Sequence, residues 1–412
     1  MADRVILHCD LNNFFASVEC VLFPDLKGKA IAVCGNPELR HGIVLAKNEK
    51  AKKYGVKTAE ALWQAKQKCP ELVFVPPHYD AYASYSRLVR SIYARYTDRI
   101  ESFGLDECWL DVTSSPFGSG KEIADRLRKE VKEETGLTIS VGVSFNKAYA
   151  KLGSDYKKPD ATTVIDRSNY RSIVYPLHVD EMLMVGKKTA QQLQRLSIST
   201  LGDLAQADET LLKQKFGING PKLKRMAAGE DDSPVRKQDE THEVKSVGHG
   251  TTTVCDVTTV PDAQTVISHL CEMIATRLRR YGLQAKGLSL HLRYCDLTSI
   301  SRQCTLSAAS ASATDLQQAA YRLLASHWDP QKDLPLRTIT VNAEKLEPIG
   351  SAVQQSFLEP CENKNLQLET AVDEIRQKYG FDVIKRANLL HNGNLVEKHA
   401  EEDDLLPFRR GQ

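Results

Sequence analysis

The sequence is short of several features that would have fixed its class at once. None of its ten cysteines forms a Cys-x-x-Cys pair or stands at zinc-like spacing with histidine, which excludes zinc ribbons and dithiol redox motifs. Cys9, Cys34, Cys108 and Cys295 lie inside apolar runs, the setting of small buried hydrophobes in a reducing compartment. No apolar stretch reaches the about 18–20 residues that cross a bilayer. Asp3 and Asp10 interrupt the apolar run near the N-terminus, so there is no signal-peptide layout. A cytoplasmic protein with no membrane partner is therefore expected. Charge of one sign is also lacking. The net charge is only +2, so a polyanionic partner would have to be met by local clusters.

What is present is an ordinary globular composition, 42% hydrophobic and 26% charged, over 412 residues. That length suits two to four domains of about 100–200 residues. The first third alternates strand and helix signals. Residues 5–10 and 29–34 read as strands, 13–22 as a helix, and 48–54 and 59–69 as helical. A short strand at 72–75 precedes Pro76-Pro77, and 80–96 has the period of a long amphipathic helix. Residues 99–113 read as two strands joined by a tight turn at 105–107, followed by a helix at 121–135, a strand at 138–144 and a helix from 146. Strand, helix, strand, strand, helix, strand is the split βαβ plan of a ferredoxin-like sheet, with about 20–77 inserted after its first helix.

From about 168 to 232 the pattern is wholly helical, with two glycine turns, Met184-Val-Gly-Lys-Lys-Thr189 and Phe216-Gly-Ile-Asn-Gly-Pro-Lys222. Residues 233–245 are polar and read as a linker. Strands return from 246 to 345, at 289–294 and 337–341, separated by helices at 262–281 and 314–327, which predicts a second small α/β unit. The tail from 346 onward is polar, with one helical stretch at 366–378.

Three carboxylates stand out. Asp10 ends a strand, and Asp106 and Glu107 occupy the turn of the later hairpin. Phosphoryl transfer needs anionic oxygens that hold two hard divalent cations about 3.5–4 Å apart. On spacing alone, residues in such places are more often solvated turn residues.

The stretches around them are more specific. Asp10-Leu-Asn-Asn-Phe-Phe-Ala-Ser-Val-Glu19, residues 102–113 and residues 140–154 with Lys157-Lys-Pro159 resemble, in order, the three signatures of Y-family translesion DNA polymerases. The likeness runs from about residue 4 to 345 and is nearest the DinB-like branch or a neighbouring UmuC-like subgroup. It implies an α/β (α+β) architecture: a ferredoxin-like palm (1–19 and 78–167), inserted fingers (20–77), an all-α helix-hairpin-helix thumb (168–232), a linker (233–245), a little finger (246–345) and a tail (346–412). It implies a monomer that adds deoxynucleotides to primer–template DNA across damage, at low fidelity and without proofreading.

The resemblance also implies roles. Asp10, Asp106, Glu107 and the backbone carbonyl of Leu11 would hold two Mg²⁺ ions, for which Mn²⁺ can substitute. Phe15 takes the steric-gate position, where a ring beneath the deoxyribose would collide with a 2′-hydroxyl. Phe14, Lys52 and Lys158 would line the nucleotide pocket, although of the two phenylalanines Phe14 better suits a core position. Lys52 stands where many members carry Arg, and Glu49 where many carry Tyr. An acid there would repel a triphosphate unless it points away or pairs with Lys52 or Lys53. Both glycine turns resemble helix-hairpin-helix elements that bind phosphate through backbone amides, which marks Gly186, Lys187, Lys188, Gly217, Gly220, Lys222 and Lys224. Arg279, among Arg277, Arg280, Lys286 and Arg293, would contact duplex backbone, with a solvated helix face as the equal alternative. Gln354, Phe357 and Leu358 resemble a sliding-clamp docking motif, so the β subunit of the replicase is an expected partner. Two competing readings are a nucleotidyl cyclase, which also sets carboxylates on a ferredoxin-like sheet, and a catalytically silent DNA-binding or clamp-associated factor.

Overall fold

An aliphatic-rich run makes Ile6–Leu11 (β1) a strand buried along its whole length, with Leu7, Cys9 and Leu11 on one face and Ile6, His8 and Asp10 on the other. The computed structural model describes residues 3–35, 42–238, 240, 243–351, 364–380 and 383–387. The chain parts into two compact units just after Glu240.

The first unit is organised on β1. Phe14–Leu22 (α1) follows it. A small sheet then forms from Ile31–Cys34 (β2), Val44–Lys47 (β3) and Val73–Val75 (β4), in the order β3-β2-β4, with Glu49–Lys53 (α2) and Leu62–Lys68 (α3) beside it. The chain returns through Tyr79–Tyr93 (α4), Ile100–Ser102 (β5), Glu107–Asp111 (β6), Gly120–Thr135 (α5), Ile139–Ser144 (β7), Lys147–Tyr156 (α6) and Thr162–Ile165 (β8). The main sheet has the order β5-β6-β1-β7-β8; β1 runs antiparallel to both β6 and β7, and β8 adds in parallel at the edge. The first four strands of that order are the ferredoxin-like arrangement expected from the sequence.

The pleat of β1 sorts its side chains. Leu7 and Cys9 enter a core with Leu110, Ile123, Leu127 and Tyr93, on the side of α4 and α5. Each such aliphatic side chain contributes about 1.5–3 kcal/mol of burial free energy. Ile6 lies on the opposite face, against Trp109, Ala150 and Val235. Helix α5 is well specified locally. Ser119 and Glu122 form a capping box at its start, and Gly136, with φ of 72°, ends it in the left-handed region.

Short helices follow at Tyr170–Val174 (α7), Lys187–Gln194 (α8), Leu201–Gln206 (α9), Glu209–Phe216 (α10) and Asn219–Ala228 (α11). They share a core with Phe145, Tyr149 and Leu152, so α6 is the seam between sheet and helices. The Tyr149 hydroxyl donates to the Ala227 carbonyl at 2.8 Å, and Asn146 Nδ2 donates to the Gly229 carbonyl at 3.1 Å. The polar segment after α11 is not loose over its first part. Arg4 donates to the carbonyls of Ser233 and Asp231, and Val235 is fully buried.

The second unit is one sheet under two helices. Ser246–Val257 (β9), Leu283–Tyr294 (β10), Ser299–Ser310 (β11) and Leu336–Pro348 (β12) pair in the order β11-β10-β12-β9. Val260–Arg280 (α12) and Ala313–His327 (α13) cover one face. A last helix, Lys364–Tyr379 (α14), docks on α12. No helix of the described residues is long and apolar enough to cross a membrane.

Candidate active site

The site grows from the β1–β6 ladder. Asp10 pairs with Glu107, Cys9 with Cys108 and His8 with Trp109. Side chains of period two therefore put His8, Asp10, Glu107 and Trp109 on the face that looks toward α6. Asp106 lies in the turn before β6, and its carbonyl accepts the Leu11 amide at 3.0 Å. Asp10 is only 4% exposed.

Helix α6 and the segment just after it bring cations to these acids. Lys151 Nζ is 3.2 Å from Asp10 Oδ2, 3.0 Å from Glu107 Oε1 and 3.2 Å from Asp155. Lys158 Nζ is 2.7 Å from the same Asp10 oxygen and 2.6 Å from Asp155. Burial raises the Asp10 carboxyl to about 6, with Lys158 and Lys151 opposing. Burial and the neighbouring Glu107 also push Asp106 up. Glu107 goes the other way: burial would raise it, but the His8 contact and Lys151 outweigh burial and hold it at about 2. For Lys151 burial favours the neutral amine, yet Asp10, Glu107 and Asp155 outweigh that and raise it. Burial drops His8 to about 4, so its ring is neutral at pH 7. Burial and the paired lysines thus push these carboxylates in opposite directions, unlike solvated turn residues.

The Asp10 and Glu107 carboxylates fit a divalent cation, while Asp106 is not in the group of ligand atoms that lie together. Ligand atoms of His8, Asp10 and Glu107 lie within 4.8 Å of one another. Carboxylate oxygens suit Mg²⁺ or Mn²⁺, and the two ammonium groups supply counter-charge at the same oxygens.

Beside the acids, Phe15 stacks face to face on Tyr82, with centroids 4.1 Å apart and planes 9° from parallel. Tyr82 is fixed in turn: its hydroxyl donates to Glu19, a fully buried carboxylate that also lies 3.0 Å from His78 Nδ1. Phe14 is 3% exposed and packed in the palm core, so its side chain is closed to a nucleotide. That corrects its place in the sequence-predicted pocket, because α1 turns the two rings to different sides. Glu49 Oε1 accepts from Asn13 Nδ2 at 3.1 Å and lies 3.7 Å from the exposed Lys52. The acid is thus tied down by one of the two lysines expected to pair with it.

Residues 9–155 match the impB/mucB/samB family, and residues 244–357 match the C-terminal domain of that family. The chain is 42% identical to DNA polymerase IV of Acetivibrio thermocellus, covering 95% of this chain and 99% of that protein. It is 37% identical to DNA polymerase IV 1 of Bacillus subtilis, covering 94% and 93%. Among solved structures, a Y-family DNA polymerase chimera, Dbh-Dpo4(243-245)-Dbh, aligns with a TM-score of 0.72 at 26% identity, over 83% of this chain and 98% of that one. The chain belongs to the Y family of DNA polymerases.

Against that family frame, the remaining sequence-predicted contacts divide. In the helical segment, Gly186 caps α8 with open space around it, and Lys187 and Lys188 are exposed. Gly217 ends α10 at φ of 60°. Gly220 is a packing glycine: a Cβ there would lie 2.3 Å from the Leu212 carbonyl oxygen. Lys222 is exposed and Lys224 half-buried. Arg279 departs from expectation. Its side chain is 10% exposed and held at 2.6 Å by both Glu369 and Asp373, with a further bond to the Ala311 carbonyl at 2.8 Å. In this structure it anchors α14 and has no open face for a DNA backbone. Gln354, Phe357 and Leu358 lie outside the described residues.

Sequence reasoning gave no role to Lys151, Ser154 or His8. The first two sit inside the third signature, and a helical wheel from Lys147 puts Lys147, Lys151 and Ser154 on one side. That spacing was the available signal.

Proposed function

We propose that this Y-family polymerase extends a DNA primer at the Asp10, Asp106 and Glu107 carboxylates, selecting deoxynucleotides with Phe15 and working as a monomer in the cytoplasm. The reading rests on one observation: Asp10 and Glu107 face each other across β1 and β6, with two lysines converging on them. Two bound Mg²⁺ ions, or Mn²⁺ in their place, would supply Lewis acidity that lowers the pKa of the primer 3′-hydroxyl and neutralises triphosphate charge. The three carboxylates and the Leu11 carbonyl hold and space that charge. Lys158 reaches the acids from the far end of α6 and is placed to exchange Asp10 for a triphosphate oxygen. Phe15, braced on Tyr82, presents a rigid ring edge that a 2′-hydroxyl would strike. The glycine turns at Gly186, Gly217 and Gly220, with Lys187, Lys188, Lys222 and Lys224, grip the primer–template backbone without reading sequence.

The chain is a DNA-directed DNA polymerase of the translesion class, and neither alternative fits it as well. A cyclase has no use for the α7–α11 segment or the second unit. A silent factor would have no need to hold a buried Asp10 and a half-buried Glu107 against Lys151. Residues 354–358 are proposed as the docking segment for the sliding clamp, by their position between β12 and α14.

The test is Asp106→Asn in the full-length protein with primed template, Mg²⁺ and four deoxynucleotides. The variant is expected to melt and bind DNA like the parent while extension falls about 10³-fold, the equivalent of about 4 kcal/mol of transition-state stabilisation. Undiminished extension rejects the assignment.

A further inference from the structure

We propose that His8 is a positioning residue for the catalytic carboxylates: it donates Nε2–H to Glu107 and fixes that side chain's direction, while Ser154 sets which ring nitrogen carries the proton. The proposal rests on the reading of Asp10, Asp106 and Glu107 as metal ligands.

The geometry is tight around the ring. His8 is fully buried on β1, two residues before Asp10 and on the same face. Trp109 meets it edge to face, with centroids 5.0 Å apart and planes at 63°, which limits ring rotation. Nδ1 lies 2.8 Å from Ser154 Oγ. Nε2 lies 3.4 Å from Glu107 Oε2, just short of hydrogen-bond geometry, and each of these two buried atoms has no hydrogen-bond partner, so a small rotation that joins them satisfies both.

Proton counting selects one arrangement. Ser154 Oγ also lies 2.8 Å from the Lys151 carbonyl, and a hydroxyl has one proton to give. If Ser154 donated to that carbonyl, a neutral His8 would have to place its proton on Nδ1. Nε2 would then turn a bare lone pair toward a carboxylate oxygen in a buried site, which is repulsive and uncompensated. If Ser154 donates to Nδ1 instead, Nε2 carries the proton and meets Glu107. The Lys151 carbonyl then faces the Ser154 oxygen at 2.8 Å without its proton, a cost that the Glu107 contact has to offset. A charged ring would bear both protons and would also donate from Nε2, so the donor at Glu107 does not depend on the charge state.

The consequence concerns Glu107. It opens β6 right after a turn, and its carboxylate has more rotamers than the aspartates have. Lys151 holds Oε1 at 3.0 Å, and His8 addresses Oε2. With both oxygens engaged, the carboxylate plane is set before any cation or nucleotide arrives. Partners that orient metal-ligating carboxylates from behind act in this way.

The experiment measures Mn²⁺ affinity of the full-length protein on primer–template DNA by electron paramagnetic resonance, alongside extension at saturating metal. His8→Phe, which keeps the ring shape and loses the donor, is expected to weaken Mn²⁺ binding by about 10–100-fold. Most of its extension rate should return at saturating metal. His8→Gln, whose amide nitrogen stands near the place of Nε2, should recover most of the affinity. Ser154→Ala should weaken it several-fold without touching the ring, and it decides alone if His8→Phe does not fold. Wild-type affinity in folded His8→Phe, or in Ser154→Ala where it stands alone, overturns the proposal. So does a histidine nitrogen coupling in the Mn²⁺ spin-echo spectrum, because a metal-ligating Nε2 cannot donate. Asp106→Asn separates the two levels. If it too leaves Mn²⁺ affinity unchanged, the metal-site reading fails; if only the His8 and Ser154 variants do, this inference fails alone.

Discussion

Gly142→Ala should damage the site from a distance. Gly142 sits in β7, where α6 crosses it. A Cβ there would lie 1.9 Å from the Ala150 carbonyl oxygen, 2.4 Å from the Ser154 nitrogen and 2.8 Å from the Gly153 carbonyl carbon. All three are backbone atoms, so no rotamer change relieves the clash. Restoring an ordinary contact of 3.4 Å needs the helix to lift by about 1.5 Å. The same lift carries Lys151 away from Asp10 and Glu107, now 3.2 and 3.0 Å distant. Overpacking commonly costs about 1–3 kcal/mol, and a backbone-on-backbone collision belongs at or above the upper end. For a unit of this size about 3 kcal/mol lowers Tm by about 6–12 °C. Gly153→Ala is the internal control. Its Cβ would meet the Gly142 Cα at 3.0 Å and the Thr163 carbonyl oxygen at 3.3 Å, so about 1 kcal/mol is expected. Differential scanning calorimetry and primer extension on the same samples give the answer. A Gly142→Ala protein that melts within about 2 °C of the parent, with full activity, refutes the reasoning.

Phe15→Ala removes the ring that Tyr82 braces, and ribonucleotide incorporation should rise by about 10²-fold or more in single-nucleotide assays. Unchanged discrimination puts the gate elsewhere. Arg279→Ala leaves Asp373 without its cation and Glu369 with only the more distant Arg386, and should cost the second unit about 3 kcal/mol. The expected readout is protease cleavage within α14 with little change in DNA affinity. Lost DNA affinity with α14 still protected would restore Arg279 as a DNA contact. Deleting residues 354–358 should abolish stimulation by the sliding clamp and spare basal extension, and the reverse pattern would reject that segment as the docking site.

The palm was readable because its periods are strong. Residues 5–11 and 139–144 are short runs rich in Val, Ile and Leu, and α4 and α5 carry clean amphipathic stripes. Four strands escaped notice, Ser246–Val257 among them, and the other three show why. Ser299–Ser310 is an edge strand whose inner face, Ile300, Cys304 and Leu306, is broken by Arg302 and by small residues, so its alternation is weak. Val44–Lys47 and Thr162–Ile165 are four residues each and borrow their stability from neighbouring strands. The same division holds at the site. Asp10, Asp106 and Glu107 stood out by local context. Lys151 meets Asp10 across 141 residues of chain, a pairing that only tertiary packing creates. Arg279 misled for the mirror-image reason. A row of arginines at a helix end looks cationic until the acids of α14, about ninety positions later, neutralise it.

The cross-strand pairing of Asp10 with Glu107 also bears on which changes of chain length the enzyme can survive. Strand side chains alternate faces, so a single-residue deletion or insertion in the turn at 103–106 would shift β6 by one position and send Glu107 into the side occupied by Cys108. The acid proposed for metal binding would then lie in the apolar core between the sheet and α5, and a buried cysteine would take its place beside Asp10. The loop around residues 54–60 lies in the inserted fingers, and no strand of the main sheet depends on its length for register. Lineages of this enzyme are therefore free to grow or shorten the fingers while the turn ahead of β6 keeps a fixed count, and a designer who wants a new loop should place it in the first region and leave the second alone.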